Sequence, residues 1–98
     1  MKGDSYEFTA ELWEWDARRE KWVFAALPTD VSDEILDQPR APSGFNSVKV
    51  RARIGSTQWS TSIFPNRDAY VLPIKKSVRV EHGIDTGDSV TIGIELVD

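Results

Sequence analysis

Leu27-Pro28 and Leu72-Pro73 end apolar runs at matching places in the two halves of this chain. Proline fixes its own φ and donates no ladder hydrogen bond, so each stops a strand and suits the start of a helix. The same order of signals surrounds both. In the first half, Tyr6, Phe8, Ala10 and Leu12 alternate with Glu7, Thr9 and Glu11 in a strand reaching Trp15. Asp16 to Glu20 is a polar turn, and Trp22 to Leu27 is apolar on both faces, as in a covered central strand. After Pro28, Thr29 or Asp30 can cap a short helix with Val31 and Ile35 on one face. Gln38 to Gly44 is a loop, and Val48, Val50, Ala52 and Ile54 alternate with Lys49, Arg51 and Arg53.

The second half repeats that order after the Gly55-Ser56 turn. Gln58 to Phe64 is a strand with Trp59, Thr61 and Ile63 on one side, Pro65 to Asp68 a turn, and Ala69 to Leu72 a strand. Pro73 then suits the first helical position, Ile74 and Val78 form an i, i+4 pair, and Gly83 suits a left-handed stop. Val78 and Val80 alternating with Ser77 and Arg79 also fit a strand. The end signals at Pro73 and Gly83 favour a helix of about two turns. Asp85 to Asp88 is a tight turn with Asp88 accepting turn N–H bonds, and Val90, Ile92, Ile94 and Leu96 make the last strand.

The expectation is one mostly-β domain over residues 1–98, with pseudo-repeats of about 1–54 and 55–98, each ββαβ. One such half is too small to bury its apolar face. Two together close a small six-stranded barrel with two short helices and hide the strand edges.

The segment from Leu72 to Ile92 resembles the swapped-hairpin domain of AbrB- and MazE-like transcription factors and antitoxins. The matching positions are Leu72-Pro73, Arg79, Gly83-Ile84, Gly87-Asp88 and Val90-Thr91-Ile92. There two short chains interleave as a double-split barrel, so this chain looks like that dimer in one polypeptide. Nearly end to end, the chain is also similar to a family of small bacterial and archaeal proteins known only as a domain of unknown function. That likeness rests on Phe8-x-Ala10-x-Leu12, Trp22-x-Phe24-x-x-Leu27-Pro28, Ser47-Val48-x-Val50, Ile54-Gly55, Trp59 to Ile63 with Pro65, and Leu72-Pro73 through Gly87-Asp88. It implies a double-split barrel and brings no activity with it. Asn66 to Ala69 lacks a glycine many relatives carry, and the first-half helix is acidic at Asp30, Asp33 and Glu34.

Several kinds of chemistry find little support. There is no cysteine, hence no thiol nucleophile and no disulfide framework, and a cytoplasmic home is expected. One histidine, His82, is a poor start for a zinc site, and beside Gly83 it suits the end of a helix. Ser60 and Ser62 lie in a strand with no elbow motif, and no glycine-rich phosphate loop is present. The longest apolar run, Trp22 to Leu27, is too short to cross a bilayer, and the first residues have no apolar stretch like that of a signal peptide. No enzyme activity, cofactor, metal or membrane contact is expected.

What remains is surface. If Phe8, Ala10 and Leu12 face the core, Trp13 and Trp15 face away. They then pack under a helix, form a homodimer or protein contact, or stack a ligand. The net charge of −4 is uneven: residues 49–79 carry a net +6. Lys49, Arg51 and Arg53 share one strand face, about 7 Å apart, and Lys75, Lys76 and Arg79 share the second helix. The six are either solvated faces or an anion-binding surface, with weak nucleic-acid binding or a regulator-like role as the alternative.

Overall fold

The computed structural model describes residues 5–17, 20–37 and 47–97. The chain runs β1 (Ser5–Glu11), β2 (Trp13–Ala17), β3 (Glu20–Ala26), α1 (Thr29–Asp37), β4 (Val48–Ile54), β5 (Thr57–Asn66), β6 (Ala69–Pro73), α2 (Lys76–His82) and β7 (Ser89–Leu96). The seven strands form one antiparallel sheet ordered β1-β7-β4-β5-β6-β3-β2. It is mostly β with two short helices, as expected. It is a curled half-barrel of seven strands, and not the closed six-stranded double-split barrel.

The extra strand arises at Leu12. Residues 5–11 pair with β7, and residues 13–17 pair with β3. Leu12 belongs to neither ladder. Its N–H donates to the Asp88 carbonyl at 2.9 Å and its own carbonyl accepts from Gly87 N–H at 2.8 Å. With the side chain buried, apolar packing and the 85–88 turn hold the bend. Alternation alone sees one long strand, because Leu12 continues the apolar face of Phe8 and Ala10.

β5 also changes partner, from β4 along Thr57–Ile63 to β6 along Phe64–Asn66. Exchanging the β1–β2 stretch with β5, β3 with β6, and β4 with β7 leaves the set of strand pairs unchanged. The two helices correspond under the same exchange. Their chemistry differs: α1 carries Asp30, Asp33, Glu34 and Asp37, whereas Lys75 and Lys76 open α2.

The core follows the alternation. Val48, Val50, Ala52 and Ile54 of β4 are buried between exposed Lys49, Arg51 and Arg53. Ile63 of β5, Leu72 of β6, Val90, Ile92 and Ile94 of β7, Ile35 of α1 and Val78 of α2 join them. Burying each of these valine, leucine and isoleucine side chains contributes roughly 1.5–3 kcal/mol. Ser32 is the one buried polar side chain among the described residues. Its Oγ accepts the Tyr70 N–H at 3.0 Å, which satisfies it and ties α1 to β6.

Other expectations need correction. β3 is buried on one face only: Val23, Ala25 and Leu27 are inside, while Trp22 and Ala26 are exposed. Pro73 is the last residue of β6, paired with Phe24, and the extended Lys75 precedes the helix. Ile74 continues along β3, its N–H bonding the Val23 carbonyl at 2.8 Å, so the chain turns later than the proline suggests. The turn expected at Pro65–Asp68 tightens to Arg67-Asp68, because Pro65 and Asn66 pair with Tyr70 and Ala69. The loop expected at Gln38–Gly44 and the Arg18-Arg19 tip of the first turn lie outside the described residues.

Candidate functional site

Past Ile74 the chain leaves β3 and enters α2, and residues of β3, the first part of β5, α2 and the loop after it line one groove. The groove, of about 970 Å³, is lined by Lys21, Trp22, Trp59, Lys75, Lys76 and Asp85 among others. Local bonds set its shape. Arg79 Nη1 donates to the Ile74 carbonyl at 2.7 Å, tying the loop before α2 to the helix. Gly83 takes φ 63 and ψ 38, and the Ile84 N–H reaches back to the Arg79 carbonyl at 3.0 Å. Those are the marks of a left-handed helix stop. Asp88 Oδ2 then accepts the Asp85 N–H at 2.8 Å.

Asp85 faces the groove from that loop. Lys21 Nζ lies 3.0 Å from its Oδ1, and Arg79 Nε lies 4.0 Å from the same oxygen. The carboxyl is held below the usual aspartate range. The Thr86 backbone N–H contributes most, followed by the Lys21 hydrogen bond, while desolvation opposes them and the charges of Lys21 and Arg79 add to them. Among the described residues no carboxylate pairs with Lys75 or Lys76, and both side chains are exposed.

The six basic residues do not form one surface. Arg51 Nη1 bonds Glu95 Oε1 at 2.9 Å, and Arg53 Nη2 lies 3.8 Å from Glu7 Oε2. Carboxylates on β7 and β1 thus answer two of the three cations of β4. The Arg53 guanidinium also lies where a Cβ at Gly93 would stand. Lys49 stays exposed on that strand. Arg79, with only 12% of its side chain exposed, braces the groove, so Lys75 and Lys76 are what its helix offers to a ligand. Lys21 joins them from β3. The sequence hides Lys21, because nothing in the order of residues places position 21 beside position 85.

The aromatics gather on the outer face of β2 and β3. Trp13 is opposite Phe24 and Trp15 opposite Trp22 in the ladder. Trp13 packs on Phe24 with ring centroids 5.1 Å apart, and Trp22 stacks on Phe24 at 6.1 Å and 11°. Trp15 and Trp22 remain 56% and 43% exposed. Trp22 belongs to both the aromatic patch and the groove.

The remaining polar candidates have local roles. His82 closes α2 with its Nε2 2.9 Å from Thr57 Oγ1, which ties the helix to β5. Ser60 and Ser62 stand on the outer face of β5, opposite Arg51 and Lys49. Among the described residues, no three His, Asp or Glu side chains converge as a metal site, and no helix is long and apolar enough to cross a membrane.

The family model described as a domain of unknown function (DUF1905) matches residues 8–94, nearly the whole chain, and the chain belongs to that family. No curated protein sequence matches it.

Proposed function

We propose that this member of the DUF1905 family is a non-enzymatic binding module whose working surface is the α2 groove, and that the groove takes an anionic partner. The observation that carries this reading is local charge. Lys21, Lys75, Lys76 and Arg79 line the groove against one carboxylate, Asp85, on a chain whose net charge is −4. A concave site with few fixed polar groups and apolar walls is the usual form of a ligand site. The walls here are Trp22, Trp59 and Ile84. The non-enzymatic part is supported by the absence of cysteine and by His82 being held on Thr57 rather than on an acid partner. The lack of cysteine also suits a reducing compartment such as the cytoplasm.

Kinship with the swapped-hairpin regulators is proposed on the exchange symmetry of the strand pairs. A regulator gripping duplex DNA through both halves is the weaker reading, since the first-half helix presents four carboxylates where the second presents lysines.

Calorimetric titration with a short inorganic polyphosphate at low salt tests the proposal. Binding should weaken on raising salt and on Lys75→Glu with Lys76→Glu, and stay unchanged on Lys49→Glu. No heat at low salt, or equal loss from Lys49→Glu, would sink it.

A further inference from the structure

The aromatic patch and the basic groove are continuous through Trp22. We infer that the groove's anionic partner is a single strand of nucleic acid, its bases stacked on Trp22 and Trp15 and its phosphates lying along Lys21, Lys75 and Lys76. This rests on the groove being the binding surface, and it adds the class of partner. Anion binding alone needs only the lysines. It leaves unexplained why two tryptophans stay half in water directly across a ladder from each other. A solvated indole face is what a base can cover, and stacking is indifferent to which base arrives.

The support under the Trp22 ring favours that use. Trp22 is held parallel to Phe24, and Phe24 in turn packs on Trp13. The Trp22 ring is therefore held by its neighbours and loses little side-chain freedom on binding, while Trp15 is placed opposite it by the β2–β3 ladder. Two exposed indoles side by side call for at least two successive bases, which favours a strand over a single nucleotide. A duplex keeps its bases stacked inside and cannot offer them. Charge then limits strength. Glu14, next to Trp15 in β2, lies with Oε1 3.5 Å from Thr86 Oγ1, and Asp85 engages Lys21. Micromolar affinity is the expected range, that of sequence-independent binding.

The test is fluorescence anisotropy of a short labelled oligothymidylate with the whole chain, compared with a duplex of equal length, thymidine monophosphate and inorganic polyphosphate as competitors. The single strand should bind most tightly, with a log–log salt slope near −2, from three phosphate contacts at about −0.7 each. Trp22→Ala should weaken it about tenfold without moving the melting curve, and Trp22→Tyr should restore most of the loss. Lys75→Gln with Lys76→Gln should flatten the salt slope. If polyphosphate competes as well as the strand and Trp22→Ala changes nothing, the stacking inference fails while the anion groove stands. Duplex binding as tight as the single strand, or the mononucleotide as tight as the oligomer, overturns the inference as well. No binding of any anion overturns both readings.

Discussion

Lys21 Nζ stands 3.0 Å from Asp85 Oδ1 and ties the start of β3 to the loop after α2, across 64 residues of chain. The contact engages one of the groove's cations with Asp85, the one carboxylate among the described residues that line it. The pair is exposed, so salt screens it and its effect on stability is small.

The first prediction follows from that pair. The Asp85 carboxyl is held below its ordinary value, first by the Thr86 N–H and then by Lys21. A group with a depressed folded pKa stabilises fully above its unfolded pKa and loses that contribution as pH falls through the folded value. The loss therefore lies below about pH 4. Urea midpoints across that range should fall less steeply for Asp85→Asn than for the wild type. The same variant should bind polyphosphate more tightly at neutral pH, since Lys21 is released. Parallel pH curves would show that the contact is absent in solution.

Gly83 carries the second. Its φ of 63 strains any β-branched residue, while nothing lies within 4 Å of an added Cβ. Gly83→Val should then cost about 1–2 kcal/mol through backbone strain alone. Gly83→Asn should cost less, because Asn tolerates the left-handed region. Thermal melts of the two variants decide, and an unchanged midpoint for Val would mean the helix does not stop there.

Leu12 is the third. It is 1% exposed at the bend between β1 and β2. Leu12→Ala should lose roughly 2–5 kcal/mol, as buried leucines do, whereas Trp15→Ser should stay within about 0.5 kcal/mol. Chemical denaturation measures both. Equal costs would place the packing centre elsewhere.

The fourth concerns assembly. The described core closes within one chain, and Trp13 is already covered in part by Phe24. Light scattering at micromolar concentration should give a mass near 11.1 kDa, that of one chain. Trp15→Ser should leave it unchanged. A tight dimer that Trp15→Ser dissolves would make the aromatic patch a contact between copies.

Much of the secondary structure was legible. The alternation of Val48 to Ile54 and of Val90 to Leu96 marks two strands whose faces are as read. Thr29 and Asp30, expected as caps, are instead the first two residues of α1, whose first bond is accepted by the Pro28 carbonyl, whereas Ile35 and Gly83 mark where the helices pack and stop. These are local signals, since periodicity and φ preference act within a few residues of their source.

Order along the chain left three features to the tertiary structure, each a contact between distant residues. Leu12 continues its strand's apolar rhythm, and only its bonds to Gly87 and Asp88 break the ladder there. Arg51, Arg53 and Arg79 read as cations free for a ligand. Glu95, Glu7 and the Ile74 carbonyl reach them from other elements, and charge composition carries no record of that. Trp22 reads as part of a covered strand, and the tertiary structure leaves it exposed and lining one groove with Lys75 and Lys76. Residue order determined which stretches become strand, turn and helix. Which side chains stay free to meet a partner was decided by packing, because charge pairing and burial depend on distance in space and not on distance along the chain.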